Sequence, residues 1–246
     1  MRSLTVIVPS RGRSHTVPQM AATFRDTCTA ATWLLFVVDE DDPEYRAYQD
    51  AVDDAIGAGF RVQLVTQPCG TMISALNRGA RLLLAAPESA VPDAIGFMGD
   101  DNRPRTHGWD AAYLDALGAL PGVVYGNDLI QGAVLCTQFA VTTDIVRRLG
   151  HIAPTVLTHL YLDNYWMALG QAAGCITYLP QVIVEHLHPV GGTAAWDDGY
   201  RRVNAPAMYA RDRAAFEQYI AEHLTDEVTK LTTARTPTRA TSPAGA

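Results

Sequence analysis

No apolar run in these 246 residues approaches the roughly 20 that a membrane-spanning helix needs. The first apolar stretch, Leu4 to Pro9, falls short of the ~7–15 residues of a secretory leader's core, and arginines follow it instead of a small-residue cleavage site. Cysteine is scarce. Cys28, Cys69, Cys136 and Cys175 are scattered with no CxxC pair, so neither a zinc knuckle nor a disulfide framework is expected. Charge is scarce too, at 18%, and its positive part is the minority: 19 Lys plus Arg against 26 Asp plus Glu gives a net charge of −7. A general nucleic-acid binder would carry a basic domain, so the acidic balance argues against that class, without excluding a local basic groove. No internal repeat is present. These absences point to a reduced, cytoplasmic protein without a membrane anchor.

What is abundant is apolar. The hydrophobic share of 48% is far above that of a disordered chain, and a chain of this length buries about 70% of its unfolded surface in one core. Leu4 to Val8 reads as a buried strand, Val17 to Cys28 as a helix and Trp33 to Val38 as a second strand. A helix follows from Pro43 to Gly57, then a third strand from Phe60 to Val65. Gly70-Thr71 opens a helix whose Ile73, Leu76, Ala80 and Leu83 share one stripe, and Ala94 to Met98 is a fourth strand. This alternation predicts an α/β domain with a mostly parallel central sheet flanked by helices. Further on, Val123 to Tyr125 and Ala133 to Val141 read as strands and Leu160 to Gly170 as a helix. Ile176 to Leu179 and Val182 to Leu187 read as short strands parted by Pro180, and Ala205 to Lys230 as a C-terminal helix. Residues 231–246, rich in Thr, Pro and Ala, read as a disordered tail.

In parallel sheets ligands bind beyond the carboxyl ends of the strands. Three expected strand ends carry polar groups: Ser10 to Arg13, Asp39 to Asp42, and Asp100 with Asp101. Adjacent carboxylates repel unless a cation or donors sit between them. Oxygen ligands of this kind suit Mg²⁺ or Mn²⁺, and the alternative is a solvated turn. Asp39 could accept from a base or ribose, while Asp42 caps the helix at Pro43. His186 and His188 share a strand face and could bind a metal or phosphate, or be ordinary satisfied histidines. Asp163 lies among aromatics near His159, where a raised pKa would suit a general base; otherwise it is a helix-surface acid. Arg11 and Arg13 could clamp phosphates through their planar forks, as could Arg103 and Arg105, or all could be solvated turn residues.

The stretches VIVPSRGR, VVDEDDP, GTMISALNRGARLL, FMGDD, HLYLDNYW and VIVEHLHP, in this order, resemble a GT-A-type glycosyltransferase close to the large inverting family 2, in the compact form encoded by phages and actinobacteria. The resemblance spans about Leu4 to His188. It implies a Rossmann-like GT-A domain over 1–230, with a nucleotide-binding half at 1–101, an acceptor and catalytic half at 102–204 and a C-terminal helix at 205–230. Pro9, Ser10, Arg11 and Arg13 would border the nucleotide diphosphate, Asp39 and Asp41 the base or ribose, and Asn77 and Arg78 would face the nucleotide from their helix. Asp101 matches the last Asp of the DXD metal motif, whose first position is Gly99 here, with Asp100 touching the ribose or a metal-bound water. His186 or His188 would complete the metal site and Asp163 would be the catalytic base.

The implied cofactor is Mn²⁺ or Mg²⁺, and the implied donor is a nucleotide-diphosphate sugar, a UDP-sugar foremost. The implied reaction is a metal-assisted in-line displacement with inversion. Candidate acceptors are a hydroxymethylated DNA base, a protein Ser or Thr, a glycan or a small metabolite, met in the host cytoplasm if the gene is a phage's. A sugar-phosphate nucleotidyltransferase would need a Gly-rich loop with a basic residue straight after the first strand, and SRGR, with one glycine and no lysine, disfavours it. A non-catalytic nucleotide-sugar or carbohydrate-binding module would need the pocket but not Asp163. Gly191-Gly192-Thr193 reads as a flap over the donor. Arg201, Arg202, Arg211 and Arg213 read as phosphate contacts or a solvated helix face.

Overall fold

Four parallel strands form the half of the sheet that the first hundred residues build. In the computed structural model, which describes residues 2–233, β1 (Ser3–Pro9) lies between β2 (Ala31–Asp39) and β4 (Ala94–Phe97), and β3 (Val62–Gln67) adds outside β2. Helices cover both faces, so both sets of alternating side chains are buried, and such strands read as unbroken apolar runs. Leu4, Val6 and Val8 join Leu34, Phe36 and Val38 in one core; Ile7, Leu35 and Val37 join the other. Each buried side chain of this kind contributes ~1.5–3 kcal/mol of transfer free energy. The first core is closed by α1 (Thr16–Thr27), α2 (Tyr45–Gly57) and α4 (Trp109–Leu117). The second is closed by α3 (Met72–Leu84), α5 (Thr143–Leu149), α6 (Leu162–Ala172) and α8 (Pro206–Thr232).

Four more strands complete an eight-stranded sheet in the order β3-β2-β1-β4-β7-β6-β8-β5. They are β5 (Asn102–Pro104), β6 (Val123–Asn127), β7 (Phe139–Thr142) and β8 (Ile176–His186). β7 runs antiparallel to β4 and β6, β8 is parallel to β6, and β5 is antiparallel to β8. A short helix, α7 (Asp198–Val203), stands beside the sheet edge. The expected single α/β domain with a mostly parallel sheet and a C-terminal helix is the observed one.

The second half departs from expectation in detail. The strand expected over Ala133 to Val141 is extended only at Phe139–Thr142, preceded by a 3₁₀ turn at Gly132–Val134. One oxygen of Asp128 collects the N–H groups of Ile130, Gln131 and Gly132, which curls this backbone. The two strands expected around Pro180 are one strand. Gly126 faces Leu179 and Asn127 faces Ile183, so Pro180 falls in a bulge where no ladder N–H is required. Helix α2 starts at Tyr45 because Asp42 holds Pro43 in a turn, accepting from the N–H groups of Glu44 and Gly12. Helix α6 starts at Leu162, after Tyr161 at φ 67. Helix α8 continues past Lys230 to Thr232, burying Leu231, so the tail expected over 231–246 is helical at its first two residues, and its residues 234–246 lie outside the described residues. Among the described residues no helix is long and apolar enough to cross a membrane.

Candidate active site

The carboxyl ends of β1 to β4 open into a cleft of about 590 Å³ that also takes in the start of α6, the end of β8 and α7. Asp39 ends β2 on its floor. Arg11 Nη1 donates to Asp39 Oδ2 at 2.6 Å and to Asp41 Oδ1 at 2.7 Å, and Gln67 Nε2 donates to Asp39 Oδ1 at 2.8 Å. Asp41 itself is exposed and does not line the cleft; Arg11 holds its carboxyl below the usual value. Pro9 and Ser10 line the cleft at the end of β1. The Ser10 hydroxyl links Tyr48 (2.6 Å) to Asp100 Oδ2 (2.5 Å). Arg13 spans the cleft wall, donating to Asp100 at 3.1 Å and Asp197 at 2.5 Å with its guanidinium 4.1 Å from the Tyr200 ring centroid.

The two adjacent acids after β4 are driven in opposite directions. Burial, then the charge of Asp101, pushes the Asp100 carboxyl up. Burial also opposes ionisation of Asp101, but the hydrogen bond and charge of His186, with the Tyr200 hydroxyl, outweigh it and hold Asp101 at about 2. His186 Nε2 lies 3.3 Å from Asp101 Oδ2. Although burial disfavours its charge, His186 is raised by Asp101. The His188 ring stands 5.0 Å from that of His186, and its Nδ1 accepts from Val190 N–H at 3.2 Å. Gly99 leaves room for this arrangement: a Cβ there would come 2.5 Å from Asp101 Oδ1. Among the described residues, the three ligand atoms that gather within 4.8 Å are those of Asp39, Asp41 and Cys69, not those of Asp101, His186 and His188.

Asp163 stands in the first turn of α6 and lines the same cleft. Burial raises its pKa, and the N–H of Asn164, at 2.9 Å from Oδ1, offsets that only in part. The residues before it, Thr158 to Leu162, form the neighbouring wall. His159 in this wall is pushed down to about 4 by burial and is therefore a neutral imidazole at pH 7.

Some expected site residues lie elsewhere. Asn77 does not face the nucleotide side. It is buried, with Nδ2 donating to Ala153 O and Oδ1 accepting from Ile152 and Ala153 N–H. Arg78 is exposed and outside the cleft. Arg103 is buried against Gln19 and the carbonyls of Asp100 and Asn102, and Arg105 pairs with Glu185. Of the four arginines around the last helices, Arg202 lines the cleft, while Arg201 and Arg213 pair with Asp198 and Glu217. The segment at 191–193 is folded back on His188, whose N–H donates to Thr193 Oγ1 at 3.0 Å. Sequence reasoning missed Gln67, Asp197 and Tyr200. Gln67 had a usable signal, being a polar residue two positions past the strand expected over Phe60 to Val65, which runs on to it in the structure; α7 is too short to show a period.

No family model matches the chain, and no curated protein matches it. Similarity emerges in three dimensions. A mannosyltransferase, PcManGT from Pyrobaculum calidifontis in complex with GDP-Man and Mn²⁺, matches with a TM-score of 0.61 at 16% identity, over 94% of this chain and 73% of that one. S. aureus TarS 1-349 in complex with UDP-GlcNAc matches with a TM-score of 0.54 at 10% identity, over 92% and 73%. A structure of S. aureus TarS gives 0.56 at 11% identity, with 44% of that chain covered. The fold of this chain is that of a GT-A-like glycosyltransferase.

Proposed function

We propose that the chain is a glycosyltransferase that moves a sugar from a nucleotide-diphosphate donor, a UDP-sugar foremost, to an acceptor hydroxyl with inversion at the anomeric carbon. One observation carries this reading. A single cleft holds Asp101, kept anionic at about 2 beside His186, together with Asp163, whose pKa burial raises. Carboxyls driven apart in this way suit different tasks, charge neutralisation for one and proton acceptance for the other.

Arg11, Asp39 and Gln67 offer donors and acceptors to a base and ribose. Arg13 becomes available to the diphosphate by exchanging Asp197 for phosphate oxygens, a charge-assisted contact of the same kind. Asp163 takes the proton of the acceptor hydroxyl as that oxygen bonds to the anomeric carbon. The bond from this carbon to the diphosphate oxygen breaks on the opposite face, and the electron pair leaves with the diphosphate. The anionic oxygen of Asp101 and Nε2 of His186, 3.3 Å apart, would hold a divalent cation such as Mn²⁺ or Mg²⁺ with His186 neutral, the cation taking the place of the proton that Asp101 favours there. When bound, the cation supplies Lewis-acid charge to the leaving diphosphate.

The test is thermal stabilisation by UDP-, GDP- and dTDP-sugars with and without Mn²⁺, followed by transfer assays on the responding donor. Hydroxymethylated DNA heads the acceptor panel, beside peptides, glycans and small metabolites. A donor-specific, metal-dependent rise in Tm with sugar turnover is expected. A rise without hydrolysis or transfer would replace the enzyme with a nucleotide-sugar-binding module, and no rise with any donor would contradict both.

A further inference from the structure

Asp212, near the start of α8, is fully buried and makes no ion pair among the described residues. Its carboxylate is held by three consecutive backbone donors instead. Thr158 N–H reaches Oδ1 at 3.1 Å, and His159 and Leu160 N–H reach Oδ2 at 2.8 Å each. A carboxylate out of water is tolerated where such donors replace its hydration, and in turn it fixes the backbone that supplies them. One turn along α8, Phe216 stacks on Tyr161, ring centroids 5.5 Å apart and planes at 26°. Tyr161 sits at φ 67, a conformation that L side chains rarely adopt and that persists only when its surroundings enforce it. Its carbonyl then accepts the N–H of Tyr165 at 3.0 Å, across the turn of α6 that carries Asp163. Two side chains of α8 thus hold four successive residues, 158–161, and all of them line the cleft beside Asp163.

We infer that Asp212, with Phe216, is a positioning residue for transfer: from outside the sheet it fixes the backbone at 158–161 and so aims the Asp163 carboxylate into the cleft. This rests on the proposed role of Asp163. The rest of α8 is anchored separately, because its buried Glu227 accepts from the Tyr165 hydroxyl of α6 at 3.0 Å. Loosening Asp212 therefore leaves the helix docked.

The test is Asp212→Asn in the full chain, which points an NH₂ group at backbone N–H donors. Amide exchange at 158–160 is expected to accelerate, and kcat to fall about 10- to 100-fold, the cost of a small misplacement of a reacting group. Donor KM and the Kd of UDP with Mn²⁺ stay unchanged, because the donor wall is built by other elements. Phe216→Leu repeats the pattern with a smaller fall in kcat, and carries the comparison should Asp212→Asn not fold. Unchanged kcat despite faster exchange would overturn the inference, as would kcat and UDP affinity falling together, the mark of a general structural role. A wild-type chain that transfers no sugar would remove the proposed function itself; full transfer by Asp212→Asn removes only this role.

Discussion

The Tyr200 hydroxyl donates to Asp101 Oδ2 at 2.8 Å, on the same oxygen that His186 Nε2 approaches to 3.3 Å. A cation held by Asp101 has to share that oxygen with the hydroxyl or displace it. Tyr200→Phe keeps the ring over Arg13 and removes the competing donor, together with its 3.2 Å contact to Leu187 O. The half-saturating Mn²⁺ concentration, read by thermal shift, is expected to fall about 3- to 10-fold, in keeping with the ~0.5–1.5 kcal/mol net worth of a hydrogen bond. Weaker Mn²⁺ binding in this variant would show that Tyr200 helps to build the site.

Gly99 packs close against its neighbour: a Cβ there would meet Asp101 Oδ1 at 2.5 Å. Gly99→Ala forces Asp101 away from Tyr200 and His186. Overpacking of this kind costs ~1–3 kcal/mol, or a fall in Tm of about 2–10 °C for a chain of this size, and the Mn²⁺-dependent shift shrinks with it. Unchanged Tm and metal response would mean that Asp101 moves freely.

Burial raises the Asp163 pKa, so in the folded chain its ionisation is resisted. Below the unfolded-state pKa the group is protonated in both states and costs nothing. As pH rises from there through the raised folded value, stability is lost. Asp163→Asn should therefore be more stable than wild type at pH 7, with the Tm difference closing as pH approaches 4. A variant less stable than wild type at pH 7 would contradict the buried setting of this acid.

His159 runs the other way. Burial lowers it to about 4 from the usual ~6.5. Its stabilising contribution is complete above the unfolded value and is lost as pH falls from there toward the folded one, because the unfolded chain takes up the proton first. The imidazole should titrate near 4 by NMR, and His159→Gln should lose less Tm than wild type between pH 6.5 and 4. Titration near 6.5 would place the ring in water.

The parallel half of the fold was legible because β1, β2 and β4 are buried on both faces, leaving apolar runs bounded by polar turns. Their ends were legible for the same reason, and Ser10, Asp39, Asp100 and Asp101 meet in the cleft. What escaped was set by distant partners. Asn77 reads as a helix-face amide, but its hydrogen bonds go to a loop 75 residues further on. Asp212, flanked on its helix by exposed Arg211 and Arg213, carries no local signal of burial, yet the loop at 158–160 wraps its carboxylate. Pro180 reads as a strand break because a bulge's register shift leaves no local pattern.

The central claim is that Asp163 is the base of a transfer whose donor is bound by other residues. The direct measurement compares kcat and donor Kd for Asp163→Asn against wild type, with the responding nucleotide sugar and Mn²⁺. Loss of a general base lowers kcat by ~10²–10⁴, and donor Kd is predicted to hold, because Arg11, Arg13, Asp39 and Asp101 are untouched. Transfer at the wild-type rate by Asp163→Asn would contradict the account.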